Sequence, residues 1–216
     1  MEIDQNLVEL LRRAAGSGEV VTEEPMSRHT TFRIGGPADY FVTPHTKEEI
    51  RQVIQLCKAE SLPFAVLGNG SNLLVGDKGF RGVVIQLFKN FSDITIEEED
   101  IYAQSGALLV RLANQAAEQG LTGLEFASGI PGTLGGAVVM NAGAYGGEMK
   151  DVILYSDVLT EEGEFLRLSR EELELGYRTS VIQKKNYFVL GAALELKKGD
   201  PAAIRSVMED LKEKRI

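Results

Sequence analysis

The chain predicts an α+β fold in two parts, and three observations carry that expectation. Up to residue 90 apolar runs of strand length alternate with a helical pattern, and after it hairpin patterns take over. Two glycine-rich stretches interrupt the apolar runs, each at a strand end. Residues 1–90 are read as a first lobe, 91–198 as a second, and 199–216 as a helix that leads away from it.

Taken in order, residues 6–15 place Leu7, Leu10, Leu11 and Ala14 at helical spacing, and Gly16-Ser17-Gly18 stops that helix. A polar segment over 27–37 closes in a turn, and 39–42 reads as a strand. Thr46 with Glu49 three residues later forms a capping-box pattern, which starts a helix over 47–60. Ile50, Val53, Ile54 and Cys57 share its apolar face, so the thiol is read as core filling. Residues 64–67 form a short strand that breaks into Gly68-Asn69-Gly70-Ser71-Asn72, and 82–87 form another. Beyond Asn90, 93–96 and 101–104 flank an acidic turn as a hairpin. Leu108, Leu109, Leu112, Ala113, Ala116 and Ala117 then mark one helix face, ended at Gly120. The stretch 128–147 holds 7 of the 23 glycines, and 152–160 with 164–168 read as a second hairpin around Glu161-Glu162-Gly163. A strand over 187–196 and a helix capped by Asp200-Pro201, with Ile204, Val207, Met208 and Leu211 on one face, complete the chain.

Composition narrows the function. With 216 residues, 44% apolar and 25% charged, the chain is an ordinary globular one. It has no apolar run of membrane-spanning length and no secretory pattern at its start, so a cytoplasmic location is expected and a membrane partner is not. A net charge of −9 without a basic cluster argues against nucleic acid. One cysteine and two histidines are too few for a disulfide or a structural zinc site, and no metal is expected. His29 and His45 have no neighbouring nucleophile pattern and are read as surface or turn residues. An acidic protein still binds an anion where a few cations and backbone N–H groups converge, and Arg28, Arg33, Arg178, Lys184 and Lys185 are the candidates.

The glycine stretches invite a phosphate. The upstream one fails the dinucleotide fingerprint, because Leu73 stands where the third glycine belongs, and no phosphate-loop lysine motif occurs. Backbone N–H groups with Ser71, Asn72, Ser128 and Thr133 could still cradle a phosphorylated ligand, and Gly135–Met140 could begin a short buried helix whose first N–H groups face an anion. A compact loop packed on the core is the other reading of the same residues. Tyr177-Arg178-Thr179-Ser180 sets a guanidinium beside an aromatic ring and two hydroxyls, a group able to hold a carboxylate or phosphate bidentately; a surface arginine at a strand edge is the alternative.

Four motifs in this order, His29–Gly36 (HTTFRIGG), Leu67–Val75 (LGNGSNLLV), Gly129–Ala137 (GIPGTLGGA) with Asn141–Gly146 (NAGAYG), and Tyr177–Ser180 (YRTS), closely resemble the UDP-N-acetylenolpyruvoylglucosamine reductase family, over nearly the whole chain. The resemblance implies a two-lobed FAD-binding fold of the vanillyl-alcohol oxidase type, with FAD held non-covalently between the lobes. It implies an NADPH-dependent flavin oxidoreductase of peptidoglycan synthesis that reduces a UDP-sugar enolpyruvyl ether. By the same resemblance Gly68, Asn69, Gly70, Ser71 and Asn72 lie along the FAD pyrophosphate, while Ser128, Gly132, Thr133, Gly135, Gly136 and Gly143 line the rest. Arg178 matches the family's catalytic arginine and, with Tyr177, holds the substrate. The family continues into a third, substrate-binding domain that carries its serine proton donor and a glutamate. Neither Ser180 nor any glutamate here matches those positions, so a fragment that binds FAD but turns over poorly is expected. An oxidase of the wider FAD fold and a non-catalytic nucleotide-binding module are the other readings.

Overall fold

The computed structural model describes residues 3–214. It divides into two units, one running to Phe91 and taking in Glu161–Glu164, the other holding Ser92–Thr160 and the chain from Phe165 on.

In the first unit, Asp4 caps α1 (Gln5–Ala15) by accepting the Asn6 and Leu7 N–H groups at 2.9 and 3.4 Å. The buried face of α1 is Leu7, Val8, Leu11 and Ala15. Leu10 and Ala14, expected on that face, are only half-buried, because the helix packs against several elements at once and turns its stripe toward them. The strand β1 (Glu19–Pro25) was not legible, since Val20 and Val21 stand among charged residues at a sheet edge. It pairs antiparallel with β2 (Pro37–Thr43), which lies parallel to a later strand. Helix α2 (Lys47–Ala59) starts at the expected capping box and buries Ile50, Val53, Ile54 and Cys57, each apolar side chain contributing about 2 kcal/mol. Strands β3 (Phe64–Leu67) and β4 (Phe80–Gln86) complete a sheet of order β1-β2-β4-β3, with β2, β4 and β3 mutually parallel. Helices α1 and α2 pack on one another, and a separate cluster of Met26, Ala38, Phe41 and Val84 is covered by Leu67, Leu73, Val75 and Phe80. Two of those covering residues, Leu73 and Val75, belong to the segment that follows the first glycine loop.

In the second unit, β5 (Ile94–Glu97) and β6 (Asp100–Gln104) form the expected hairpin. Then follow α3 (Leu109–Glu118), β7 (Leu121–Thr122), α4 (Leu134–Val139), β8 (Gly143–Ala144), β9 (Gly147–Glu148) and α5 (Met149–Val152). Strands β10 (Ile153–Leu159) and β11 (Phe165–Ser169), helix α6 (Val181–Lys184), β12 (Phe188–Glu195), β13 (Lys197–Lys198) and α7 (Pro201–Glu213) complete the unit. Its antiparallel sheet runs β11-β10-β12-β6-β5. Ile101, Leu109, Leu112, Leu134, Val138, Met149, Val158 and Leu194 share one core cluster. Val152, expected to open a strand, instead ends α5, whose start is set by reciprocal bonds between Glu148 and Asp151. On α7 only Ile204 is fully buried and Val207 is 46% exposed, so the expected four-residue face narrows to Ile204 with half-buried Met208 and Leu211. Across the sheet, Asp157 accepts from Tyr102 Oη at 3.1 Å and from Arg167 at 2.8 and 3.1 Å, while Arg167 stacks 3.8 Å over Tyr155. Burial first, and then the Asp157 charge, push the Tyr102 hydroxyl far above its usual range. No helix among the described residues is long and apolar enough to cross a membrane.

Candidate functional site

The first glycine loop, Gly68–Asn72, leaves the carboxyl end of β3, a strand parallel to β4, at the position where open α/β sheets bind ligands. Gln86 at the end of β4 anchors it by donating to the Gly68 carbonyl at 3.1 Å. Gly70 has φ +67°, and a Cβ there would collide with the His29 carbonyl oxygen, so only glycine lets the loop lie against residues 29–31. The Thr31 N–H reaches the Gly70 carbonyl at 3.2 Å, and Gly36 N–H bonds Gly76 at 3.0 Å. The segment His29–Gly36 therefore forms the bed on which the loop rests, a role invisible in its sequence. His29 itself is a half-buried turn residue, 2.9 Å from Glu24 and stacked at 4.0 Å on Phe41. The side chains of Asn69, Ser71 and Asn72 bond no other described residue, which leaves their donors and acceptors open to a phosphorylated ligand.

In the second unit the glycine stretch is laced to residues 105–109. Leu109 N–H donates to Gly132, Leu134 N–H to Ala107 and Gly135 N–H to Ser105, at 3.0, 2.8 and 2.8 Å. The expectation that α4 offers its first N–H groups outward needs correcting, because two of them are consumed by these bonds, a consequence of the strand-like bridge between Leu108 and Thr133. The α4 glycines then separate by role. A Cβ on Gly135 would lie 2.8 Å from the Ser105 Cβ, so the fold itself needs that glycine. Gly136 is exposed and meets nothing nearer than Thr133 Oγ1 at 3.9 Å. No neighbour among the described residues calls for a glycine there. Ser128 is turned inward, its hydroxyl donating to the Glu125 carbonyl at 2.7 Å, and Thr133 is 4% exposed at the α4 N-cap. Gly143 faces Glu148 across the β8–β9 hairpin, where a side chain would press on the Gly147 carbonyl at 2.7 Å. Ser105 Oγ is buried with no hydrogen-bond partner among the described residues.

The same unit holds a cleft of ≈ 400 Å³ bounded by Asn141, the hairpin residues Gly143–Glu148, Asp151, Tyr177 and Arg178. Tyr177 and Arg178 occupy the corner of a tight turn closed by Gly176 N–H to Thr179 at 3.1 Å and Thr179 N–H to Gly176 at 3.3 Å. Arg178 sits at φ +54°, a region that costs a side-chain-bearing residue about 1 kcal/mol. Neither residue is buried, Tyr177 being 91% exposed, and Arg178 has no ion-pair partner among the described residues. Arg178 thus stands in a strained turn at the edge of a cleft that also holds Glu148 and Asp151, with its guanidinium bonded to neither, and a guanidinium with free donors is able to take an anion bidentately. Ser180 is fully buried and donates to the Val139 carbonyl at 2.7 Å, so its proton is engaged in structure. The candidates Arg28, Lys184 and Lys185 are drawn elsewhere: Arg28 and Lys184 pair with Glu24 and Glu174, and Lys185 lies over Tyr187.

The FAD binding domain family matches residues 38–169. A protein of Alkaliphilus metalliredigens (strain QYMF) named UDP-N-acetylenolpyruvoylglucosamine reductase is 53% identical over 211 residues, which is 98% of this chain and 69% of that protein. The crystal structure of UDP-N-acetylenolpyruvylglucosamine reductase from Thermus caldophilus superposes with a TM-score of 0.76 at 37% identity, covering 92% of this chain and 69% of the other. Berberine bridge enzyme, at 15% identity and a TM-score of 0.65 over 93% of this chain and 45% of its own, shares the fold alone, which is the two-lobed α+β flavoprotein fold of the vanillyl-alcohol oxidase type.

Proposed function

From a chain that belongs to the UDP-N-acetylenolpyruvoylglucosamine reductase family and carries its FAD binding domain, we propose an FAD-holding portion of the NADPH-linked enzyme that reduces the UDP-sugar enolpyruvyl ether to UDP-N-acetylmuramate in peptidoglycan synthesis. The carrying observation is Arg178, an unpaired guanidinium at the corner of a clamped turn over the cleft. When bound, the flavin supplies two-electron transfer from the nicotinamide to the enolpyruvyl carbon. The residues fit that group, since Gly136 leaves room that no neighbour uses and Asn69, Ser71 and Asn72 present uncommitted polar atoms.

In this reading Gly68–Asn72 hold the pyrophosphate, and Ser128, Gly132, Thr133, Gly135, Gly136 and Gly143 line the remainder. Because Ser128 and Thr133 are turned inward, their share is to shape the cradle more than to bond the ligand. Arg178 takes the substrate carboxylate bidentately and stabilises the enolate-like charge that grows as hydride adds to the neighbouring carbon. Tyr177 covers the substrate at the cleft edge. The proton that completes the reduction does not come from Ser180, whose hydroxyl is committed to Val139. We place its donor in the part of the relatives' length that this chain, spanning 69% of one of them, does not cover.

The test is a visible spectrum after incubation with excess FAD and desalting, followed by addition of NADPH and the enolpyruvyl substrate. Retained flavin with slow or absent turnover fits the reading. A folded protein that retains no flavin overturns cofactor binding by this chain, and turnover at an ordinary flavoenzyme rate overturns the assignment of the proton donor to the uncovered part.

A further inference from the structure

We propose that Asn141 is the positioning residue that aims Arg178 into the cleft, by tying together the cleft's two walls; this rests on the reading of Arg178 as the carboxylate-binding group. Asn141 lies two residues past the end of α4, is 3% exposed, and sits at φ +42°. Its Oδ1 accepts the Lys150 N–H at 2.9 Å, on the wall that also carries Asp151. Its Nδ2 donates to the Gly176 carbonyl at 3.2 Å, the same oxygen that accepts the N–H closing the Arg178 turn. The two partners fix the amide's orientation, because a flipped side chain would set N–H against N–H and oxygen against oxygen.

Three further bonds hold the turn beside the end of α4, one of them at the Arg178 carbonyl, while Asn141 holds the residue at which the turn begins. Ser180 Oγ and Gln183 Nε2 both donate to the Val139 carbonyl, at 2.7 and 3.0 Å, and Gln183 reaches the Arg178 carbonyl at 3.5 Å. These hold the far side of the turn, whereas Gly176 begins it. Only asparagine joins a donor and an acceptor at this reach while tolerating positive φ; aspartate keeps the length and the tolerance but loses the donor. The charged groups that share the cleft are Arg178, Glu148 and Asp151.

The distinguishing experiment is Asn141→Asp in the FAD-supplemented chain, followed through the Arg178 side-chain Nε–Hε resonance during titration with UDP-N-acetylglucosamine enolpyruvate. At pH 7.5 the variant should bind the ligand about 10-fold more weakly, with a more mobile Arg178 side chain and unchanged amide exchange in β12. Burial raises the pKa of the new carboxyl and the Lys150 N–H lowers it, so the pH is reduced until the carboxyl carbon resonance shows it protonated, which restores a donor to Gly176. Affinity and Arg178 order should then return toward those of the unaltered chain measured at the same pH. Unchanged Arg178 order at pH 7.5, or a loss that protonation does not reverse, overturns the proposal. Should Asn141→Asp fail to fold, Asn141→Gly suits the positive φ and removes both bonds; Arg178 mobility equal to the unaltered chain's would likewise overturn it. Arg178→Ala separates the two claims: ligand binding that survives it ends the reading of Arg178 as the carboxylate group, and Asn141 is then judged by Arg178 order alone.

Discussion

Gly135 and Gly136 are adjacent and identical on the page, yet they answer to different constraints. Gly135→Ala must push against Ser105 and should cost about 1–3 kcal/mol in chemical denaturation. Gly136→Ala meets open space inside a helix, so its stability should stay level or rise by up to about 1 kcal/mol. Its FAD affinity, read by flavin fluorescence, should nevertheless fall about 10-fold or more. Equal flavin affinity for Gly136→Ala and the unaltered chain would remove Gly136 from the cofactor cradle. Cys57 makes the opposite case, where residue type and spacing sufficed. Burial pushes its thiol up to about 12 from 9.0, so a thiol reagent at pH 8 should react only after denaturant is added.

At the scale of elements, Glu49 ties the start of α2 to the end of α1. It closes the capping box expected from Thr46 and also accepts from the Ser17 N–H and hydroxyl at 2.8 and 2.7 Å. Burial alone would raise its pKa, but these bonds with those from His45 and Thr46 prevail and hold it at about 2 against an ordinary 4.5. The carboxylate thus favours the folded state above pH 4.5, and that contribution is lost as pH falls through about 2. Glu49→Ala should cost about 2 kcal/mol at pH 7 and flatten the decline in stability between pH 5 and 2. A variant that keeps the parental acid slope would show that Glu49 is not the titrating group. The box was legible because its partners lie three residues apart; the Ser17 bonds span 32 residues and were not.

For the whole molecule, the proposed cofactor adds a term that no internal contact supplies. A ligand that binds only the folded chain stabilises it by mass action, by about 2.7 kcal/mol at 100 times its Kd. Thermal unfolding should therefore move upward with added FAD in the unaltered chain and much less in Gly136→Ala. A midpoint indifferent to FAD in the unaltered chain would count against FAD binding altogether. Most helices and hairpins were legible because their signals are local: apolar spacing, caps and turn residues act within a few positions. The β1 strand escaped because an edge strand needs few apolar residues, and the outward Val207 because the burial of a helix face depends on what lies opposite it.

Local chemistry in the sequence alone determined the α+β class, the helix starts at Thr46 and Asp200, the inert place of Cys57 and, through four ordered motifs, the family. What only the tertiary structure decided lies in contacts between residues far apart in the chain. It sets the His29–Gly36 bed under the first glycine loop, spends two α4 N–H groups on residues 105–107, and divides Gly135 from Gly136. It commits the Ser180 proton to Val139 and hangs the Arg178 turn on Asn141, 35 residues before the carbonyl it grips. Spacing along a chain reports the neighbours within a turn of helix or a hairpin, whereas a hydrogen bond or a collision between distant residues exists only once the packing has brought them together.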